Sequence, residues 1–324
     1  MIKCKLYNKE ELKTGSVTVN GKTYDNILMT KEGYILSGYD HFIGKDEKRR
    51  NDTVLHIEFP YNVGNYSMFY KGSQQILINA CNAIEKILNG TLASVEKSEL
   101  YKVIIESLHI VHHMNTEKRK SKLNGINSLS TSCCDNSFCL QRIKDNDSVC
   151  SHCYSNTQQK TQLALQDRNT INGIILRNII IPTKYWKKYI NPADLSKYFR
   201  IESFGDVANK TQAINYINFM KAFPRVHFAV WTKNKGIWHF AMNDAGKPDN
   251  MVFIVSSNRV NGCEKYHVKN DSRVDHVFTV YDKKYIAENK IKINCGGRAC
   301  LECIKRKTGC YFRNTEKLMN EELK

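Results

Sequence analysis

Five of the 12 cysteines fall between Cys133 and Cys153, and four more fall between Cys295 and Cys310. Thiolates grouped this tightly suit a soft metal or an iron–sulfur cluster. In the first group Cys150 and Cys153 form a C-x2-C pair, a spacing that lets two thiolates meet one metal or cluster. Cys139 adds a third ligand, and Cys134 or Cys133 a fourth. The second group reads Cys295, Cys300, Cys303 and Cys310, that is C-x4-C-x2-C and one more cysteine. This resembles plant-type ferredoxin ligation and suits a Cys4 zinc site equally well. Gly296 and Gly297 let the backbone turn tightly around the metal. Ligand number separates the chemistries. A structural zinc site is closed by four ligands, whereas a catalytic cluster that binds S-adenosylmethionine needs three cysteines and an open iron. Cys4, Cys81 and Cys263 stand alone and read as small buried hydrophobes or unremarkable thiols.

The second half of the chain must position these groups. Strands are predicted at 199–204, 226–231, 251–255 and 276–281, with helices at about 209–222 and 236–244. Continuous apolar strands alternating with helices indicate a parallel sheet covered on both faces. Residues 1–115 read as a separate α+β module of unknown role. It holds a hairpin around Asn20-Gly21, a strand at 54–59, and helices at 73–88 and 99–113. The expected fold is α/β, a partial (β/α) barrel-like domain over 116–324 preceded by that module. A basic, then polar, connector runs over 116–133, and one helix is expected over 155–178.

Each apolar strand delivers polar residues at its carboxyl end, where parallel α/β folds and barrels carry their active sites. Glu202, Asp206 and Lys233 are the catalytic candidates. Ser203, Gly205, Thr232, Asn234, Ser256 and Asn258 are the cofactor-binding candidates. Any one of these can instead be a loop or helix-capping residue. His109 and His113 stand four apart in the expected 99–113 helix, but there is no H-E-x-x-H pattern.

Several stretches together resemble the phage "gene product 88" family over about residues 125–312. They are Thr131-Ser132-Cys133-Cys134, then Cys139, then Cys150-Ser151-His152-Cys153-Tyr154. Arg200 to Asp206, Trp231-Thr232-Lys233-Asn234 and Cys295 to Cys303 follow in order. That family is similar to phage proteins that look like distant radical S-adenosylmethionine enzymes. The resemblance implies a partial barrel in which Cys139, Cys150 and Cys153 hold a [4Fe–4S] cluster that cleaves S-adenosylmethionine. It implies an auxiliary cluster or zinc at Cys295, Cys300, Cys303 and Cys310. The sequence departs from the usual C-x3-C-x2-C spacing, with ten residues between Cys139 and Cys150, and His152 stands where an aromatic residue is usual.

A net charge of +17 and a pI near 9.3 favour polyanionic partners, nucleic acid among them. Tyr185, Trp186 and Tyr189 lie among lysines, which suits either stacking on bases or an amphipathic helix with its aromatics inward. Mean hydropathy is -0.49, and no stretch reaches the ~20 apolar residues of a membrane span. The N-terminus is polar from the start, so a cytoplasmic protein with reduced thiols is expected. No P-loop and no G-x-S-x-G pattern is present. The expected function is a radical S-adenosylmethionine-like iron–sulfur enzyme, acting on nucleic acid. The rival is a binding module stapled by two Cys4 zinc sites.

Overall fold

A computed structural model of the chain describes residues 2–19, 21–31, 54–59, 66–69, 74–117, 120–263, 266–297 and 299–323. Asn20 of the hairpin turn, Lys118 and Arg119 of the basic connector, and Arg298 of the second cysteine group lie outside the described residues.

The N-terminal region forms β1 (Lys3–Tyr7), β2 (Leu12–Val19), β3 (Lys22–Thr30), β4 (Val54–Glu58) and β5 (Tyr66–Phe69), then α1 (Gln75–Asn89) and α2 (Ser94–Glu106). Strands β1, β4 and β5 make an antiparallel sheet, and β2 and β3 make the expected hairpin. Val19 pairs with Lys22, and Gly21 takes the left-handed φ of 75° that such a tight reversal needs. Helix α1 buries Leu77, Ala80, Cys81 and Ile84 at helical spacing. The isolated thiols of Cys4 and Cys81 meet in this core and hydrogen-bond to each other.

The second helix starts and stops earlier than expected. Ser107 ends α2, its hydroxyl bonding back to the Val103 carbonyl at 2.7 Å. Extended Val111–His112 (β6) follows and pairs antiparallel with Asn127–Leu129 (β7). β-branched Ile110 and Val111 fit a strand better than a helix. His109 and His113 therefore share no helix face, and their metal-binding spacing has no structural meaning.

After β7 come α3 (Ser137–Ile143), a 3-10 turn at Val149–His152, α4 (Tyr154–Thr161), α5 (Leu163–Asn178) and α6 (Thr183–Tyr189). The helix expected over 155–178 is thus two helices, broken at Gln162. Then follow β8 (Tyr198–Ile201), α7 (Lys210–Ala222), β9 (His227–Thr232), α8 (Lys235–Ala245), β10 (Met251–Ser256), α9 (Tyr266–Asn270), β11 (His276–Tyr281), α10 (Lys283–Asn289), α11 (Cys300–Lys305) and β12 (Leu318–Glu322). The four predicted strands are β8 to β11.

Strands β6 to β12 form one seven-stranded sheet in chain order, parallel from β7 to β12. Its two faces carry different loads because side chains alternate along a strand. Phe199, Ile201, Phe228, Val230, Phe253, Val255 and Val277 join the main core under α5 to α8. Ala229, Val252, Ile254, Phe278, Val280 and Met319 face the other way, against Ile304 and Tyr311 of the C-terminal cysteine segment. That second side is called the inner face below.

The N-terminal region docks on the helices rather than on the inner face. Tyr101 stacks on Tyr185 with centroids 4.3 Å apart, and Ser98 bonds to Tyr189 at 2.5 Å. Trp186 is fully buried and its indole donates to the Ile181 carbonyl. Tyr185 and Trp186 thus point inward while their lysines flank the outside, the amphipathic alternative. Among the described residues no helix is long and apolar enough to cross a membrane.

Candidate functional site

The carboxyl ends of β7, β8 and β9 are tied together by two buried carboxylates. Glu202 leaves β8 with φ of 53°, a conformation unusual for a side chain that is not glycine. Its carboxylate accepts from the Thr131 amide at 3.0 Å, the Thr131 hydroxyl at 2.8 Å, Gln212 at 2.7 Å and Tyr216 at 2.5 Å. Burial pushes this carboxyl above the usual range, against the lowering effect of the Tyr216 and Thr131 hydrogen bonds. Asp206 accepts from the Thr232 hydroxyl at 2.6 Å, the Lys233 amide at 2.7 Å and the Val207 amide at 2.8 Å. Burial raises this carboxyl as well.

Neither carboxylate caps α7, since Asn209 does so by accepting from the Gln212 amide at 2.9 Å. Asn234 donates to the Val207 carbonyl at 3.0 Å, and its amide bonds to Thr232. Ser203 shares a 2.8 Å hydrogen bond with Ser130 of the β7 loop. The structure thus brings Glu202, Ser203, Gly205, Asp206, Thr232, Lys233 and Asn234 to one edge of the sheet.

Gly205 is required by close approach. A Cβ there would lie 2.5 Å from the Thr131 carbonyl oxygen and 2.9 Å from Glu202 Oε2. Gly205→Ala is expected to destabilise the chain by about 1–3 kcal/mol through overpacking. Urea unfolding checks this, and an unchanged midpoint would mean that the Thr131 loop gives way freely.

The first cysteine group gathers over this edge. Cys133 and Cys134 leave the β7 loop, and both are buried. Cys150 sits in the 3-10 turn and Cys153 precedes α4. Two sets of bonds hold this segment over the strand ends. Tyr154 donates to the Ser203 carbonyl at 2.8 Å, and Ser155 donates to the Phe204 carbonyl. On the other side the Val149 amide bonds to the Asn258 carbonyl at 2.9 Å, and Ser148 bridges to Arg259. Asn258 and Ser256, which ends β10, are thereby brought to the same edge.

Cys133 is the vicinal thiol turned toward the group. It accepts from Gln159 Nε2 at 3.1 Å and hydrogen-bonds with Cys153, whereas Cys134 turns to Asn156 at 3.8 Å. The Cys134 thiol and burial push Cys133 up to about 12, against lowering by Cys153. Burial, together with Asp206, Cys133, Cys150 and Cys153, raises Cys139. Burial disfavours charge on Lys233, but Cys150, Asp206, Cys153 and Cys139 around it raise its pKa. Lys233 thus lies within electrostatic reach of the thiols of Cys139, Cys150 and Cys153.

The second group lies on the inner face. Cys295 is bonded through its amide to the Asn320 carbonyl of β12 at 3.0 Å, and Cys300 to the Lys122 carbonyl before β7 at 2.9 Å. Lys122 meets Glu321 of β12 at 3.0 Å. The segment therefore spans from the last parallel strand to the first. Gly296 has φ of 95°, and a Cβ there would meet Glu321 Oε1 at 2.7 Å. Burial raises Cys310 to about 12, and Cys300, Cys295 and Cys303 add to the effect.

The donors are soft thiols in both places, so their chemistry fits a cluster or zinc. Cys133, Cys139, Cys153, Cys295, Cys300 and Cys310 are all raised above the usual thiol range, so binding of a metal by these thiols must release protons. Among the described residues no three His, Cys, Asp or Glu side chains already stand in a metal-coordinating arrangement. Two groups without a local sequence signal also belong here. Arg177 pairs with Asp135 at 2.8 Å behind the β7 loop, and Arg200 lies on the inner face over Trp231. Arg177 and Asp135 are 42 residues apart, beyond the reach of any motif.

Fold and site together define a cysteine-rich α/β protein whose polar strand ends converge on one edge of a mostly parallel sheet. The chain belongs to the gene product 88 family, whose model matches residues 106–318. The match takes in strands β6 to β11, both cysteine groups and only the first residue of β12. Searches of curated proteins and of solved structures give no match.

Proposed function

We propose that this chain is a radical S-adenosylmethionine-like iron–sulfur enzyme built on a partial (β/α) barrel. The observation that carries this reading is that the segment of Cys150 and Cys153 is bonded to the strand ends through Tyr154 and Val149, with Cys139, Cys150 and Cys153 all within electrostatic reach of Lys233 at the carboxyl edge of the sheet. Strand order that follows chain order, and the approach of Lys122 to Glu321, support a sheet curling toward a barrel. Cys139, Cys150 and Cys153 would hold a [4Fe–4S] cluster. When bound, such a cluster supplies the electron that cleaves S-adenosylmethionine to a 5′-deoxyadenosyl radical.

The chain's own residues then have distinct roles. Glu202 and Asp206 are saturated with hydrogen bonds and position the strand-end loops. Lys233 has no hydrogen bond or ion pair from its ammonium among the described residues, which leaves it to meet a carboxylate. Asn258 Oδ1 is buried without a partner and suits a cationic amino group. Ser203, Gly205, Thr232, Asn234 and Ser256 line the same edge as backbone and hydroxyl contacts for the cofactor. The charge of +17 supports a nucleic-acid substrate.

A second reading, structural zinc, is favoured at Cys295, Cys300, Cys303 and Cys310, where four thiols crowd one segment that spans the sheet. Anaerobic purification, reconstitution and metal analysis test both. The expected result is a brown protein with about four irons at the first group, which releases 5′-deoxyadenosine when reduced with S-adenosylmethionine. A colourless protein holding about two zinc ions would overturn the enzyme reading.

A further inference from the structure

Arg200 belongs to neither cysteine group, and its surroundings are unusual. It stands on β8 beside Ser128 of β7 and Ala229 of β9. Its neighbours Phe199 and Ile201 face the helices, so Arg200 projects onto the inner face. Its guanidinium lies 4.1 Å above the Trp231 ring, and that ring leans on Phe278 at 4.4 Å. Stacking of this kind fixes the guanidinium plane and leaves its edge free to donate.

That edge meets no acceptor among the described residues. The Arg200 side chain makes no hydrogen bond or ion pair with any described residue, and its Nε is buried without a partner. Two further donors nearby are in the same state, the Trp231 indole Nε1 and the Tyr311 hydroxyl, both buried and unpartnered. Tyr311 packs edge-on against Tyr198, two residues before Arg200 on the same face, and feels the Arg200 charge. Buried donors are nearly always paired in folded proteins. Here three lie on one face with a fixed positive charge, and the titratable groups that feel the Arg200 charge there besides Tyr311 are the Cys300 and Cys310 thiols. A donor-rich, acceptor-poor site calls for an oxyanion.

We propose that Arg200, Trp231 and Tyr311 form a receptor for the phosphate group of a small organic phosphate. Donors from three side chains suit a tetrahedral anion with several acceptor oxygens better than a planar carboxylate. The site stands independently of the cluster reading, because none of Cys139, Cys150 and Cys153 contributes to it.

Calorimetric titration of the full chain at low salt with inorganic phosphate, 5′-AMP and acetate tests this, with metal content measured in parallel. Phosphate and 5′-AMP are expected to bind, with acetate much weaker. A tighter 5′-AMP marks an ester as the ligand and an equal affinity marks the phosphate group alone, and both support the site. Arg200→Gln is expected to weaken binding at least about tenfold, and Arg200→Lys to restore part of it. Trp231→Phe keeps the stack, removes one donor, and is expected to weaken binding about threefold or more with circular dichroism unchanged. If Arg200→Gln does not fold, Trp231→Phe and Tyr311→Phe carry the test. Equal affinity in the variants and the natural chain, or acetate binding as tightly as phosphate, would overturn the proposal. So would loss of metal in Arg200→Gln with phosphate binding intact, which would make Arg200 a counter-charge for the second cysteine group.

Discussion

Cys150→Ala is expected to lose the iron of the first group and all release of 5′-deoxyadenosine, while the chain stays folded. Cys150 sits in an intermediate position on a short 3-10 turn whose amide is held by Ser148 at 3.1 Å. Removing its sulfur leaves that turn intact, so the effect falls on the metal and not on the core. Cys134→Ala is the matched control. Its thiol points away to Asn156, so iron and cleavage should both survive. Cys133→Ala is the discriminating variant, because its thiol meets Cys153. A three-cysteine cluster with an open iron survives that change. A closed four-thiol site, which supports no cleavage even in the natural chain, loses its metal. Iron content by colorimetry and 5′-deoxyadenosine by chromatography read out all three. Full activity in Cys150→Ala would remove the first cysteine group from the chemistry altogether.

The choice between Cys133 and Cys134 shows where sequence reading stops. Spacing brings both into range, and only the path of the β7 loop turns one inward. The strands β9 to β11 were legible because each is built on an apolar run, the mark of a strand buried on both faces, and β8 because Phe199 and Ile201 alternate around Arg200. Strand β7 was not, since Asn-Ser-Leu is short and polar, and its Asn127 and Ser128 are buried through hydrogen bonds to Ser196 and His113. It lay hidden in what reads as a connector. Strand β12, Leu-Met-Asn-Glu-Glu, is an edge strand and alternates too weakly to signal itself. The strand-end residues Glu202, Asp206, Thr232 and Lys233 were legible as a set, because parallel strands must deliver their ends to one edge. Their hydrogen-bonded saturation was not, since it depends on Thr131 and Gln212 arriving from other elements. Arg177 carries no spacing signal at all, and Arg200 entered only as the first residue of a stretch that resembles the family, with no role of its own. Each is defined by what packs against it from distant parts of the chain.

Arg177 sets the second large effect. It and Asp135 are each 2% exposed and meet at 2.8 Å. Asp135 and Tyr66 hold the guanidinium charged against its burial. Arg177 also donates to the Ser132 carbonyl, the Tyr66 hydroxyl and Gln212, so one side chain joins the β7 loop, the N-terminal sheet and α7. Arg177→Met would strand the Asp135 carboxylate in the core. Breaking a buried pair in this way costs about 3–5 kcal/mol. The double variant Arg177→Met/Asp135→Leu removes both charges and should recover a large part of that loss, since an apolar pair of similar volume is often tolerated. Urea unfolding of the two variants beside the natural chain measures the difference. A single variant within about 1 kcal/mol of the natural chain would mean that water reaches the pair. The double variant carries a second expectation. Its fold recovers, but the Ser132 carbonyl stays unheld, so the loop that presents Cys133 and leads to Cys139 is looser. Metal retention should then fall in the double variant even where stability does not, which separates positioning of the cysteines from stability of the sheet beneath them.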